Sequence, residues 1–229
     1  VDLSWIVQVL HAPVTRACIV LSCKVAAIAM PLVAVSGVGL GYLLGRGKSR
    51  WLSLLDFLVT LPLIFPPIAT GFLLLLALGR RSFLGSWLKQ SLDVEIIFSF
   101  WGLVLAAWIS GLPLIVKQVQ AAVREETNRL VETALVLGKS PCTILLRVVL
   151  PSLRTSIAIG LSLAFARSLG EVGITLMLGG NIAGRTNTIS LEIYNAVFTG
   201  EYQRASVLVL LLGAISLSLI LLTRRLARQ

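Results

Sequence analysis

Five apolar runs, near residues 20–45, 52–78, 96–116, 155–178 and 205–223, decide what this chain can fold into. Crossing about 30 Å of hydrocarbon takes about 20 residues of helix, and each run reaches that length. The expectation is an all-α, polytopic membrane helical bundle with about five spanning helices, one domain over 1–229. With 57% hydrophobic and only 13% charged residues, the composition excludes an ordinary soluble globular domain. The first run begins well inside the chain and exceeds the core of a signal peptide, so it is expected to stay as an anchor.

The formal charge of +10 raises the question of a nucleic-acid partner. The basic residues answer it, because they sit in the short connections between spans, where the positive-inside rule accounts for them without nucleic acid. Placing 117–150 in the cytoplasm also puts Arg46, Lys48, Arg50, Lys117, Arg124, Arg129, Lys139, Arg147, Arg224, Arg225 and Arg228 there. The opposite side receives Arg16, Arg80, Arg81, Lys89, Arg185 and Arg204, with Arg80-Arg81 running against the trend. The bias predicts the N-terminus outside and the C-terminus cytoplasmic. Cys18, Cys23 and Cys142 form no metal-like spacing with the single histidine, His11, and read as buried small hydrophobes. No metal or cofactor is expected.

Small residues recur every four positions at Gly37, Gly41 and Gly45, and again at Ser152, Ser156, Gly160, Ala164 and Ser168. Each set shares a helix face that lets another helix approach closely, within the subunit or between subunits. Pro31, Pro62, Pro66-Pro67 and Pro113 interrupt the spans, and such breaks need protein or water around them. The glycine and asparagine cluster at 179–187 reads as an outer turn leading into a short surface helix. Ile189, Ile193, Ala196 and Val197 would share its apolar face, with Ser190 and Glu192 off it.

Chemistry-bearing constellations are scarce. Gly41 to Ser49 resembles a phosphate-binding loop, but Tyr42 stands where glycine is required and the segment closes a span. Glu125 and Glu126 are helix neighbours that do not face each other, and one histidine cannot supply a nucleophile triad. No catalytic residue is assigned; any energy must be spent by another chain. Ionisable residues at membrane depth are Lys24, Arg167 and Glu171. Arg167 and Glu171 stand four apart and can pair structurally, whereas Lys24 or Arg167 could lower the barrier for an anionic cargo.

The polar island between the third and fourth runs carries Glu132-Thr133-Ala134, then Gly138, then Leu150-Pro151. Its order predicts an amphipathic helix that ends at Gly138, turns through Lys139-Ser140 and restarts at Pro141. These residues resemble the ATPase-docking signature of ATP-binding-cassette importer membrane subunits, with Thr133 in place of the usual alanine and Val148 in place of isoleucine. Segments 164–173, with its Gly170-Glu171-Val172-Gly173, and Gly180-Asn181-Ile182 are similar to the molybdate permease branch, as are Leu61-Pro62-Leu63 and 79–85. Sulfate and tungstate permeases share much of that pattern.

The resemblance implies a type I importer transmembrane domain in a bacterial plasma (inner) membrane, and a coupling loop over 126–151. It further implies a homodimer, two cytoplasmic ATPase subunits, an extracytoplasmic oxoanion-binding protein, and molybdate, tungstate or sulfate as cargo. An ATPase-independent secondary transporter or channel, and an inert membrane scaffold, are the competing classes; internal inverted repeats would favour the former.

Overall fold

The computed structural model describes the backbone of residues 4–47 and 49–227, helical throughout its ordered elements and without a strand among them. In chain order these are α1 (Ser4–His11), α2 (Pro13–Arg46), α3 (Arg50–Ile64), α4 (Pro67–Leu78), α5 (Phe83–Leu92) and α6 (Phe100–Ala122). They continue as α7 (Asn128–Val136), α8 (Pro141–Ile144), α9 (Leu150–Leu169), α10 (Gly173–Gly179), α11 (Ile189–Phe198) and α12 (Tyr202–Ala227). Pro13 and Pro67 open α2 and α4, where a ring-fixed φ suits the first turn and no N–H is missed. Ser49 and Ser82 accept backbone N–H groups at the starts of α3 and α5. Lys48 and Arg228, and the side chains of Glu126, Arg129, Cys142, Arg224 and Arg225, lie outside the described residues.

Among the described residues, three helical stretches are long and apolar enough to cross a membrane: Pro13–Arg46, Phe100–Glu125 and Leu145–Leu169. A bent pair, Pro67–Leu78 with Phe83–Ser91, makes a fourth if its 56° break is counted within one span. The apolar run near 52–78 is therefore not one helix. Phe65, held extended ahead of Pro66, ends α3 and separates it from α4. The run near 155–178 is likewise divided at Gly170, between α9 and α10.

α6 is the hub. In its most apolar window 61% of residues are buried, against 28% in α2 and in the α9 stretch, so neighbours surround it on most sides. α2 lays its glycine stripe on α6: a Cβ at Gly41 would sit 2.7 Å from Val119 Cβ, and one at Gly45 would sit 2.6 Å from Val123 Cβ. α9 approaches from another side, where a Cβ at Gly160 would lie 2.9 Å from Ile115 Cα and Ser168 Oγ donates to the Ala107 carbonyl at 2.7 Å. Both small-residue stripes thus serve contacts inside the subunit.

Two expectations are corrected. α11 does not turn Ser190 and Glu192 away from the protein: they are 4% and 5% exposed, while Val197 and Phe198 are 50% and 81% exposed. The helix docks against α2 and α12, and Ser190 and Glu192 find partners on α9, on α12 and in the preceding connection. Glu192 pairs with Arg204 and accepts from Asn187 Nδ2 at 2.5 Å, Ser190 Oγ donates to the Leu169 carbonyl, and Ile189 N–H reaches Ser22 Oγ at 3.0 Å. Cys18 is buried as expected, but Cys23 is exposed on α2.

Candidate coupling loop and membrane-embedded charges

α6 passes through a π-helical turn, Val123–Thr127, into α7. α7 then ends as the sequence dictates. Gly138 takes φ +68°, its N–H bonds the Leu135 carbonyl at 2.9 Å, and the Lys139 N–H bonds the Ala134 carbonyl at 3.1 Å. That pair of reversed bonds is a Schellman cap. Ser140 Oγ accepts the Thr143 N–H at 3.3 Å, and the chain restarts at Pro141.

A second π-helical turn, Leu145–Val149, joins α8 to α9, with the Leu150 N–H reaching back five residues to Leu145. Pro151 explains it. Proline has no N–H for the carbonyl four residues earlier and its ring crowds that carbonyl, so the wider turn relieves both problems where the loop becomes a spanning helix.

One face of this loop is part of the membrane core. Val131, Ala134, Ile144 and Val149 share a buried cluster with Ile115 and Val119 of α6 and Leu153 of α9. Ala134 is 7% exposed, so a long side chain there would prise α7 off the bundle. The other face is open. Glu132 and Thr133 are exposed, and Leu135, Val136 and Leu137 are 49%, 88% and 69% exposed. Leu150 is half-buried and Pro151 exposed at the head of α9. A run of exposed apolar side chains on a capped, well-packed element is a surface built to be covered.

The charged residues at depth fall in two places. Arg167 Nη1 stands 2.7 Å from Glu171 Oε2, with side-chain exposures of 35% and 1%. The other Glu171 oxygen accepts the Ile174 N–H at 2.9 Å, which caps α10 after the break at Gly170. Lys24 is exposed on α2 and borders a different groove with Arg16, Cys18, Ala183, Gly184 and Asn187. Arg167 is not among the residues that line that groove. A separate open groove, largely apolar, runs between α2, α9, α11 and α12 and includes Ala26, Met30, Phe165 and Ile215.

Among the ion pairs of the described residues that were not anticipated from sequence, two join separate helices. Lys117 Nζ lies 2.7 Å from Asp56 Oδ1, tying α6 to α3, and Glu192 with Arg204 ties α11 to α12. Asp56 carried a readable signal, since a lone carboxylate inside an apolar run demands a partner. Arg80, which ran against the charge bias, is bonded to Glu95 at 2.6 Å.

Residues 37–229 match the family described as the binding-protein-dependent transport system inner membrane component. The chain is 35% identical over 205 residues to the molybdenum transport system permease protein ModB of Escherichia coli strain K12, covering 89% of this chain and 90% of that one. It is 37% identical to the protein of that name from Haemophilus influenzae, over 87% of each chain. The Mycobacterium tuberculosis protein is 38% identical across 80% of this chain and 69% of its own length. Among solved structures, a bacterial ABC transporter involved in import of the acidic polysaccharide alginate superposes with a TM-score of 0.74 at 19% identity, covering 100% of this chain and 84% of that one. A bacterial alginate ABC transporter in complex with alginate pentasaccharide-bound periplasmic protein gives a TM-score of 0.76 at 19% identity, covering 100% of this chain and 83% of that one. The fold, and a match that takes in the capped loop, α9 and everything after it, lead to one assignment: this chain belongs to the inner membrane components of binding-protein-dependent transport systems.

Proposed function

We propose that this chain is the membrane-spanning permease subunit of an ATP-driven molybdate importer in a bacterial inner membrane. The observation that carries the coupling role is the two-faced loop, whose buried side chains continue into the core of α6 and α9 while its apolar tip stands open. The similarity to molybdenum permeases over most of the chain supports molybdate as cargo, with tungstate and sulfate as the neighbouring oxoanions.

In this reading two copies of the chain form the pathway, and two cytoplasmic ATPase subunits dock on the loops. An extracytoplasmic binding protein delivers the anion to the opposite end. Glu132, Thr133, Leu135, Val136 and Leu137 meet the ATPase, Ala134 seats α7 on the bundle, and Gly138 holds the turn. Leu150-Pro151 passes the motion into α9. A close-packed interior transmits displacement rather than absorbing it, so closure of the ATPase pair tilts the spans as rigid bodies. ATP thereby biases an equilibrium in a chain that never touches it. Lys24 at the outer groove and Arg167 at the α9–α10 break lower the electrostatic barrier for the anion.

The test is cellular molybdenum accumulation from trace molybdate in excess sulfate, with and without this chain. Loss on deletion and recovery with the intact chain is the expected result. Unchanged accumulation in cells lacking another uptake route overturns molybdate as the cargo.

A further inference from the structure

We propose that Arg167 and Glu171 form a deliberately weakened relay site for a tetrahedral oxoanion, with Glu171 as the positioning residue that keeps the anion from being trapped. The proposal rests on the importer reading and extends it to the chemistry of one step.

Arg167 lies in the last turn of α9, about 20 Å along the helix from Arg154, within the Leu145–Leu169 stretch that is long and apolar enough to cross a membrane. Its side chain is nevertheless 35% exposed in the single subunit. A guanidinium at that depth does not face acyl chains; the open side must meet a water-filled path or a second copy of the chain. Glu171, whose side chain is 1% exposed, accepts the Ile174 N–H at Oε1, while Oε2 lies 2.7 Å from Arg167 Nη1 as an ion pair and makes no hydrogen bond of its own.

The consequence is geometric and electrostatic. The ion pair engages one terminal guanidinium nitrogen, and a guanidinium carries five N–H donors in a planar fork, so donors are left for the open side. Planar paired donors match a tetrahedral oxoanion. The carboxylate behind them cancels much of the net charge, and conduction requires a site weak enough to release what it binds. Because Glu171 also accepts the Ile174 N–H at the start of α10, the charge balance of the site is tied to the break between α9 and α10.

The experiment uses the complete permease–ATPase complex in detergent and in liposomes, with radiolabelled molybdate and sulfate as probes. Glu171→Gln keeps the volume and an acceptor for the Ile174 N–H while removing the charge. It is expected to tighten oxoanion binding to the complex by at least about tenfold, equivalent to about 1.4 kcal/mol, and to slow turnover at saturating binding protein. The charge-free double variant R167Q/E171Q should lose that binding and regain turnover relative to E171Q, a recovery that a merely structural pair would not produce. Binding unchanged or weakened in assembled E171Q overturns the proposal. Should E171Q fail to assemble, oxoanion binding retained by the double variant overturns it, and binding lost there supports it. Absence of molybdate import by the unaltered complex would defeat the molybdate reading alone, since the change in sulfate binding still decides the pair.

Discussion

At the residue scale, Gly138 and Lys24 make opposite demands. A Cβ at Gly138 would meet nothing within 4 Å, so the position excludes other residues through its backbone, at φ +68°, and not through space. A β-branched residue held there costs about 1–3 kcal/mol, enough to unwind the end of α7 without unfolding the bundle. Gly138→Val should therefore leave protein abundance near normal while detaching the ATPase or uncoupling its hydrolysis from uptake, as read by co-purification and by ATPase rate against import rate. Normal association with normal uptake would remove the docking assignment. Lys24 acts at a distance. Exposed in the groove that Arg16 also lines, which the proposed orientation places outside, its charge should draw an anion inward, and such steering changes rates by about tenfold or more. Lys24→Gln is expected to slow uptake at low ionic strength and to differ little from the parent at high salt, because screening removes the effect in both. Equal rates at low salt would leave Lys24 as a snorkelling side chain.

At the element scale, what was legible in the sequence was what is local. The cap at Gly138, the N-cap at Ser140 and the restart at Pro141 depend on neighbouring residues only, and they stand as read. The glycine stripe of α2 was legible as a packing face but not its partner, since Ile115, Val119 and Val123 lie far along the chain. Glu192 was misread for the same reason: periodicity places a carboxylate on the wet face of a helix unless Arg204 and Asn187, which it cannot see, come to meet it. The division of the second apolar run was signalled by Pro66-Pro67, whereas that of the fourth was hidden, because hydropathy counts side chains and Gly170 acts on the backbone. Two substitutions in one helix separate space from propensity. Gly41→Val should push α2 from α6, since its Cβ would lie 2.7 Å from Val119 Cβ and 2.9 Å from the Val116 carbonyl oxygen. Overpacking of that kind costs about 1–3 kcal/mol and should lower the thermal midpoint and the membrane abundance. Gly39→Ala, with nothing within 4 Å of the added methyl, should leave the midpoint unchanged or raised, because alanine is the better helix former by about 1 kcal/mol.

At the scale of the whole molecule, the coupling loop and the α10–α11 connection stand at opposite ends of α9, so a push at one end is felt at the other only if α9 stays a rigid rod. Its buried seam with α6, from Leu153 to Ala164, supplies that stiffness. The proposed orientation then fixes which end faces which compartment, and it can be read directly. In a variant whose native cysteines are replaced by alanine, Ala183→Cys and Leu137→Cys place single thiols on exposed positions of the two ends. A membrane-impermeant maleimide should label Ala183→Cys in intact cells. It should reach Leu137→Cys only after permeabilisation, and less when the ATPase is assembled, because the exposed apolar tip of α7 is then covered. The reverse pattern would invert the orientation and with it the assignment of the loop to the ATPase side. Labelling of Leu137→Cys that is indifferent to the ATPase would leave the orientation standing but remove this surface from the transmission path, since only a covered tip can carry force into α9.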